Sequence, residues 1–128
     1  MPDVDIAILG GGCAGLSLAA RLAVHPGPGF AVIEPRGDYT DDRTWSFWRT
    51  ARDPFEDCVR ASWSAWSVAG PGGTVTRGSV ATPYQTVSAG AFYDRARGLI
   101  GDARHGDLVL GTSAGAVAPT RAGWRIDT

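Results

Sequence analysis

The chain has 128 residues and no lysine: its 12 cationic side chains are all arginines, and against 13 carboxylates they leave a formal charge of −1. Those arginines are dispersed, so nothing draws the chain as a whole to nucleic acid or to an anionic membrane, and no nucleic-acid partner is expected. Cysteine is scarce too. Cys13 and Cys58 form neither a metal-ligand nor a redox spacing, so no disulfide framework and no metal site are expected. No apolar run approaches the ~20 residues needed to cross a bilayer. The first residues carry Asp3 and Asp5 in place of the basic segment of a secretory signal. A cytoplasmic protein is the expectation, with peripheral membrane contact left open. Repeats and low-complexity segments are missing as well, and the length suits one modest domain.

Glycine, by contrast, is abundant, with 18 residues, and its most telling use is near the start. An apolar run, Val4 to Leu9, leads into Gly10-Gly11-Gly12-Cys13-Ala14-Gly15. A helical pattern then runs from Ala14 to about Val24. Leu16, Ala19, Ala20 and Ala23 share one face with Leu18 and Leu22 beside it, which predicts a helix buried nearly all round against a sheet. His25-Pro26-Gly27-Pro28-Gly29 stops that helix, with His25 placed as a partner for the C-terminal dipole. A second apolar run, Phe30 to Ile33, ends on Glu34, and Pro35 closes the strand.

Strand, glycine turn, helix, strand and terminal acid make a dinucleotide-binding βαβ unit over residues 4–34, the start of a Rossmann-like α/β fold. Gly10 permits the sharp turn, Gly12 lets the backbone approach a pyrophosphate, and Gly15 lets helix and strand pack closely. The helix start offers N–H groups and its positive dipole end to phosphate. Gly10, Gly11, Gly12, Cys13, Ala14 and Gly15 are therefore the expected phosphate-side segment, with Cys13 a small filler. Glu34 lies 19 residues beyond Gly15, close to the ~20 of such sites. Its carboxylate can accept from ribose hydroxyls and would repel a 2′-phosphate, which favours FAD or NAD over NADP.

Beyond Glu34 the chain turns polar. Asp41-Asp42 beside Arg43 reads as a solvated loop, and Thr44-Trp45-Ser46-Phe47-Trp48 follows. Three large aromatics in four residues cannot share one helix face and call for a core or an apolar pocket. Cys58 to Val68 alternates with a phase slip, which predicts one bulged strand. Gly70-Pro71-Gly72-Gly73 is a turn, Thr74 to Arg77 a return strand, and Tyr84 to Val87 another extended piece. A helix is predicted over Ala89 to Ile100, capped by Ser88 and burying Phe92, Ala96, Leu99 and Ile100. Asp107 to Leu110 reads as a third parallel strand. Ser113 to Ala118 and Trp124 to Thr128 read as the start of a β-meander, inside which the sequence stops. A sheet cut there would present an open edge, so a truncated, inactive nucleotide-binding fragment is one expectation for this chain.

The glycine loop, Glu34, the segment Thr44-Trp45-Ser46-Phe47, Trp63 and Trp66 before a hairpin, and Tyr84, Val87 and Phe92 leading into a helix together resemble the N-terminal third of a bacterial lycopene cyclase of the β-cyclising flavoprotein type. The glycine loop is common to many flavoproteins, whereas Thr-Trp-Ser-Phe is far more specific. The resemblance covers nearly all 128 residues. It implies an FAD/NAD(P)-binding fold of the glutathione-reductase type, incomplete here, with β-strands inserted over 44–87, a helix over 89–100, and a third strand and meander over 107–128. It also implies a part in carotenoid biosynthesis, where lycopene ends become β-ionone rings by acid-initiated, redox-neutral cyclisation with reduced FAD. Gly10, Gly12, Gly15 and Glu34 would then hold the ADP half. The family's acidic motif lies downstream, so no catalytic residue is assigned. Trp45, Phe47 and Trp48 are candidate substrate-lining residues, since a carbocation gains from aromatic faces, although core is the first reading for any single tryptophan. Another flavoprotein of the same fold, a hydroxylase or an isoprenoid reductase, is the alternative. Nothing indicates an oligomeric state.

Overall fold

A computed structural model describes residues 3–128. The elements in chain order are β1 (Ile6–Leu9), α1 (Cys13–Ala23), β2 (Phe30–Glu34), β3 (Thr44–Trp48), a single 3₁₀ turn (Glu56–Cys58), β4 (Val59–Trp63), β5 (Ala65–Gly70), β6 (Gly73–Gly78), β7 (Tyr84–Ser88), α2 (Ala89–Asp102), β8 (Gly106–Leu110), β9 (Val117–Pro119) and β10 (Trp124–Ile126). Two compact units result: one runs to Tyr39 and resumes at Tyr93, and the other is Thr40–Phe92.

The first unit is built on a parallel sheet of order β1-β2-β8. β2 lies in its middle, and all five of its residues are buried. That explains the unbroken apolar run of Phe30 to Ile33, as expected of a strand covered on both faces. α1 crosses from β1 to β2 and buries Leu16, Ala19 and Ala20. It is covered on one side only: Leu18 is 48% exposed, which corrects the expectation of a helix buried all round. Small residues form the buried face because the helix runs close to the strands. The ring nitrogen that reaches a carbonyl in the last turn of α1 belongs to His105, whose Nε2 lies 3.1 Å from the Leu22 oxygen. The expected His25 is exposed and meets the same carbonyl through its backbone N–H. On β1, Ala7 and Leu9 face a hollow bounded by Val117, Trp124 and Ile126 of the β9–β10 hairpin. That hairpin is shorter than the predicted meander strands.

The second unit is antiparallel. Its three-stranded sheet has the order β3-β7-β4, and β5 and β6 form a separate hairpin. The predicted single strand over Cys58 to Val68 is thus two strands in two sheets, parted at Ser64, whose carbonyl accepts from Ser79 N–H at 2.7 Å. The predicted bulge is present, between Val59 and Ala61 against β7. Ser88 caps α2, its Oγ accepting from Ala91 N–H. Asp41 caps it as well, accepting from Gly90 N–H at 2.8 Å. Asp41 therefore has a structural task that a solvated-loop assignment does not give it. Tyr93, not predicted as core, is fully buried, while Leu99 is only half-buried. Among the described residues, no helix is long and apolar enough to cross a membrane.

Candidate functional site

The glycine loop and the end of β2 are tied together by backbone hydrogen bonds before any side chain acts. Gly10 N–H donates to the Ile33 carbonyl at 2.9 Å, so the turn leaves β1 beside the last residues of β2. Gly10 has φ +101°, a conformation that side chains oppose. A Cβ on Gly15 would run into the Gly10 carbonyl oxygen, so the helix–strand contact requires glycine there. A Cβ on Gly11 would run into the Tyr39 hydroxyl and crowd Glu34. Gly12 differs from all three. Its φ is −79°, which any residue adopts, and a Cβ there would meet nothing within 4 Å. No atom of this chain crowds that position, so close packing within it does not require glycine there.

Gly12 is also the N-cap of α1 and carries no side-chain capping bond. The first bond of the helix is Leu16 N–H to the Gly12 carbonyl at 2.9 Å. The first-turn N–H groups of Cys13, Ala14 and Gly15 thus precede the intrahelical ladder, as at any helix start. They lie beside an open approach, a geometry that suits phosphate. Burial pushes the Cys13 thiol pKa up, only partly offset by a hydrogen bond with Ser17.

Glu34 is 5% exposed and reaches back toward the loop. Its Oε2 accepts from Gly11 N–H at 2.6 Å, and its Oε1 accepts from Arg36 N–H at 2.9 Å and Arg36 Nε at 2.7 Å. Hydrogen bonding by Arg36 is the chief reason the Glu34 carboxyl is held below the usual range, against an opposing effect of burial. The Arg36 guanidinium also donates to the Gly11 carbonyl at 3.0 Å and to the Tyr93 hydroxyl at 3.3 Å. It lies against the rings of Tyr39 and Tyr93, which stack with centroids 4.3 Å apart. Tyr39 donates to the Gly11 carbonyl at 2.9 Å. Burial, and then the Glu34 charge, push the Tyr39 phenol up to about 12.

Loop and acid are therefore brought together as the sequence predicts. Arg36, Tyr39 and Tyr93, which complete the cluster, were not foreseen. The available signal was Arg36 two residues past Glu34, the spacing that puts side chains on one side of an extended chain. The open helix start at Gly12 fits a pyrophosphate, whereas the buried Glu34 carboxylate already accepts four hydrogen bonds from Gly11 and Arg36 and has to give one up to receive a ribose hydroxyl.

The family model described as Lycopene cyclase protein matches residues 5–120. The chain belongs to the lycopene cyclase family. No curated protein sequence matches it. Solved structures share its fold. One is the flavin-dependent monooxygenase PieE in complex with FAD and substrate, with 16% identity, 98% of this chain and 27% of that one covered, and a TM-score of 0.67. A second is p-nitrophenol 4-monooxygenase PnpA from Pseudomonas putida DLL-E4, with 9% identity, coverage of 94% and 38%, and a TM-score of 0.70. A third is 2,6-dihydroxypyridine-3-hydroxylase from Arthrobacter nicotinovorans, with 15% identity, coverage of 98% and 33%, and a TM-score of 0.54. The fold is the Rossmann-like α/β fold of these proteins, and this chain spans well under half of their length.

In this member of the lycopene cyclase family, β3 divides the three aromatics of Thr44–Trp48 between its two faces. Trp45 and Phe47 are half-buried, and Trp45 meets Phe92 edge-on at 5.0 Å. Phe92 in turn stacks on Phe55 at 4.2 Å. Trp48 points the other way and is 53% exposed. It pairs in register with Tyr84, which pairs with Trp63, so one aromatic row crosses all three strands. Trp66 adds to the row at 5.9 Å from Trp48.

Proposed function

We propose that this chain is the ADP-binding N-terminal part of a flavin-dependent lycopene cyclase, which forms β-ionone rings from lycopene by acid-initiated, redox-neutral cyclisation. The observation that carries this is Gly12, an uncrowded glycine at a helix start, set beside a buried carboxylate in a chain of the lycopene cyclase family. Gly12 and the first turn of α1 would hold the pyrophosphate of FAD, and Glu34, on releasing one of the four hydrogen bonds it accepts from Gly11 and Arg36, would accept from the adenosine ribose. Bound FAD, in reduced form, supplies the flavin that cyclisation requires without net oxidation. Trp48, Trp63, Tyr84 and Trp66 offer an aromatic surface to an apolar, cationic intermediate, where a desolvated cation gains ~2 kcal/mol or more. Trp45 and Phe47 support that sheet from behind. The initiating acid is not assigned to any residue of this chain.

The test has two readouts. Gly12→Val should abolish binding of FAD and of ADP, followed by calorimetry, while stability falls by no more than the ~1 kcal/mol of a poorer N-cap. Retained binding would remove the loop from the cofactor. Expressed through its whole reading frame in lycopene-accumulating cells, the protein should convert lycopene to a cyclic carotene of unchanged mass. A product heavier by oxygen would instead favour a monooxygenase, the activity named for two of the structural neighbours.

A further inference from the structure

Resting on the proposed ADP site, we infer that Arg36 is a specificity-determining residue: paired with Glu34, it closes the site to 2′-phosphorylated dinucleotides, and freed from Glu34 it would hold that phosphate. Repulsion by Glu34 alone is half of the account. An arginine beside the ribose acid is the group that receives a 2′-phosphate in sites that accept one, and here such an arginine is present. What matters is how it is used. Its Nε and Nη2 are both turned onto the Glu34 carboxylate, at 2.7 and 3.3 Å. Nη2 also serves the Gly11 carbonyl and Nη1 the Tyr93 hydroxyl. The two tyrosine rings flank the guanidinium. All three nitrogens are engaged, and the cation is neutralised by a carboxylate that is itself held ionised. A fork that suits phosphate bidentately is thereby occupied by an internal anion.

The consequence is reciprocal. With Glu34 made neutral, Tyr93 and the Gly11 carbonyl still hold the guanidinium in place, now with its charge uncompensated next to the ribose. The pair, rather than the acid alone, sets the preference for an unphosphorylated ribose.

The experiment measures binding of ADP and of 2′-phospho-ADP to the full chain by calorimetry, for the unchanged protein and for Glu34→Gln, Arg36→Met and the double variant. Far-ultraviolet circular dichroism shows which variants are folded. The unchanged chain should prefer ADP. Glu34→Gln should reverse that, raising the affinity for 2′-phospho-ADP by tenfold or more. Adding Arg36→Met should erase the gain, and Arg36→Lys in its place should restore part of it, because charge survives without the fork. A gain that persists in the Glu34→Gln/Arg36→Met double variant, or a folded Glu34→Gln variant that gains nothing, overturns the role of Arg36 while leaving the ADP site standing. An unchanged chain that binds neither nucleotide overturns both.

Discussion

β2 and the β5–β6 hairpin are strands of similar length with opposite surroundings. Every residue of β2 is buried, including Glu34. Along β5 and β6 only Trp66 is partly covered, and Val68 and Val75 are 67% and 51% exposed. In the parallel unit the central strand is covered and the buried Glu34 has its partners at hand, while Leu9 and Trp124 away from that strand stay 50% and 70% exposed. In the antiparallel unit, Trp48 and Trp63 stand half in solvent although their sheet has a covered face with Phe55 and Phe92. Side chains that a unit buries for itself report on stability. The half-exposed Trp48 and Trp63 contribute less to it.

The sharpest break of that contrast lies in Phe92, which is 3% exposed and stacked on Phe55. Phe92→Ala should cost about 3–5 kcal/mol of stability, seen as a lower urea midpoint. A loss under about 1 kcal/mol would mean that the covered face of the antiparallel sheet is no core. Next come the glycines of the parallel unit. Gly15→Ala forces helix and strand apart and should cost about 1–3 kcal/mol, whereas Gly12→Ala enters open space and should cost only the ~0.5–1 kcal/mol of a poorer N-cap. Equal losses at the two positions would erase the distinction between a packing glycine and a ligand glycine.

The buried charge gives a pH test. Because the folded carboxyl of Glu34 is held below its ordinary value of about 4.3, the unfolded chain takes up a proton there first as pH falls. The contribution of Glu34 to stability is therefore full above about 4.3 and disappears as pH falls through the lowered folded value. Arg36→Met removes the main cause and leaves burial to raise the carboxyl, so acid unfolding followed by circular dichroism should begin at higher pH. An unmoved acid transition would contradict the pairing. The smallest effect is expected at Trp48: Trp48→Ala should cost about 1 kcal/mol, the worth of an aromatic pair, while carotenoid conversion by the complete protein falls far more. A large loss of stability would make the exposed row part of the core.

Much of the parallel unit was legible because its signals are local. The glycine spacing, the run Phe30 to Ile33 and the acid at its end follow from backbone conformation and double-sided burial, which act along the chain. The strand Asp107 to Leu110 was legible from its apolar run as well, although none of its residues is fully buried. The split at Ser64 was not, because alternation looks the same whether a strand continues or passes to another sheet. His105 displaced His25 at the end of α1, and Asp41 became a helix cap, through partners far away in sequence.

The sequence by itself determined the βαβ start, the placement of Glu34 beside the glycine loop and the family. Those depend on residue types whose conformational demands are met within a few positions. Only the tertiary structure decided that Arg36 occupies the acid, that Tyr39 and Tyr93 hold Arg36, and that Trp48 joins Tyr84 and Trp63 instead of Trp45 and Phe47. Each of those outcomes depends on which long-range neighbours folding brings within hydrogen-bonding or van der Waals distance, and interactions of such short range leave no periodicity along the chain.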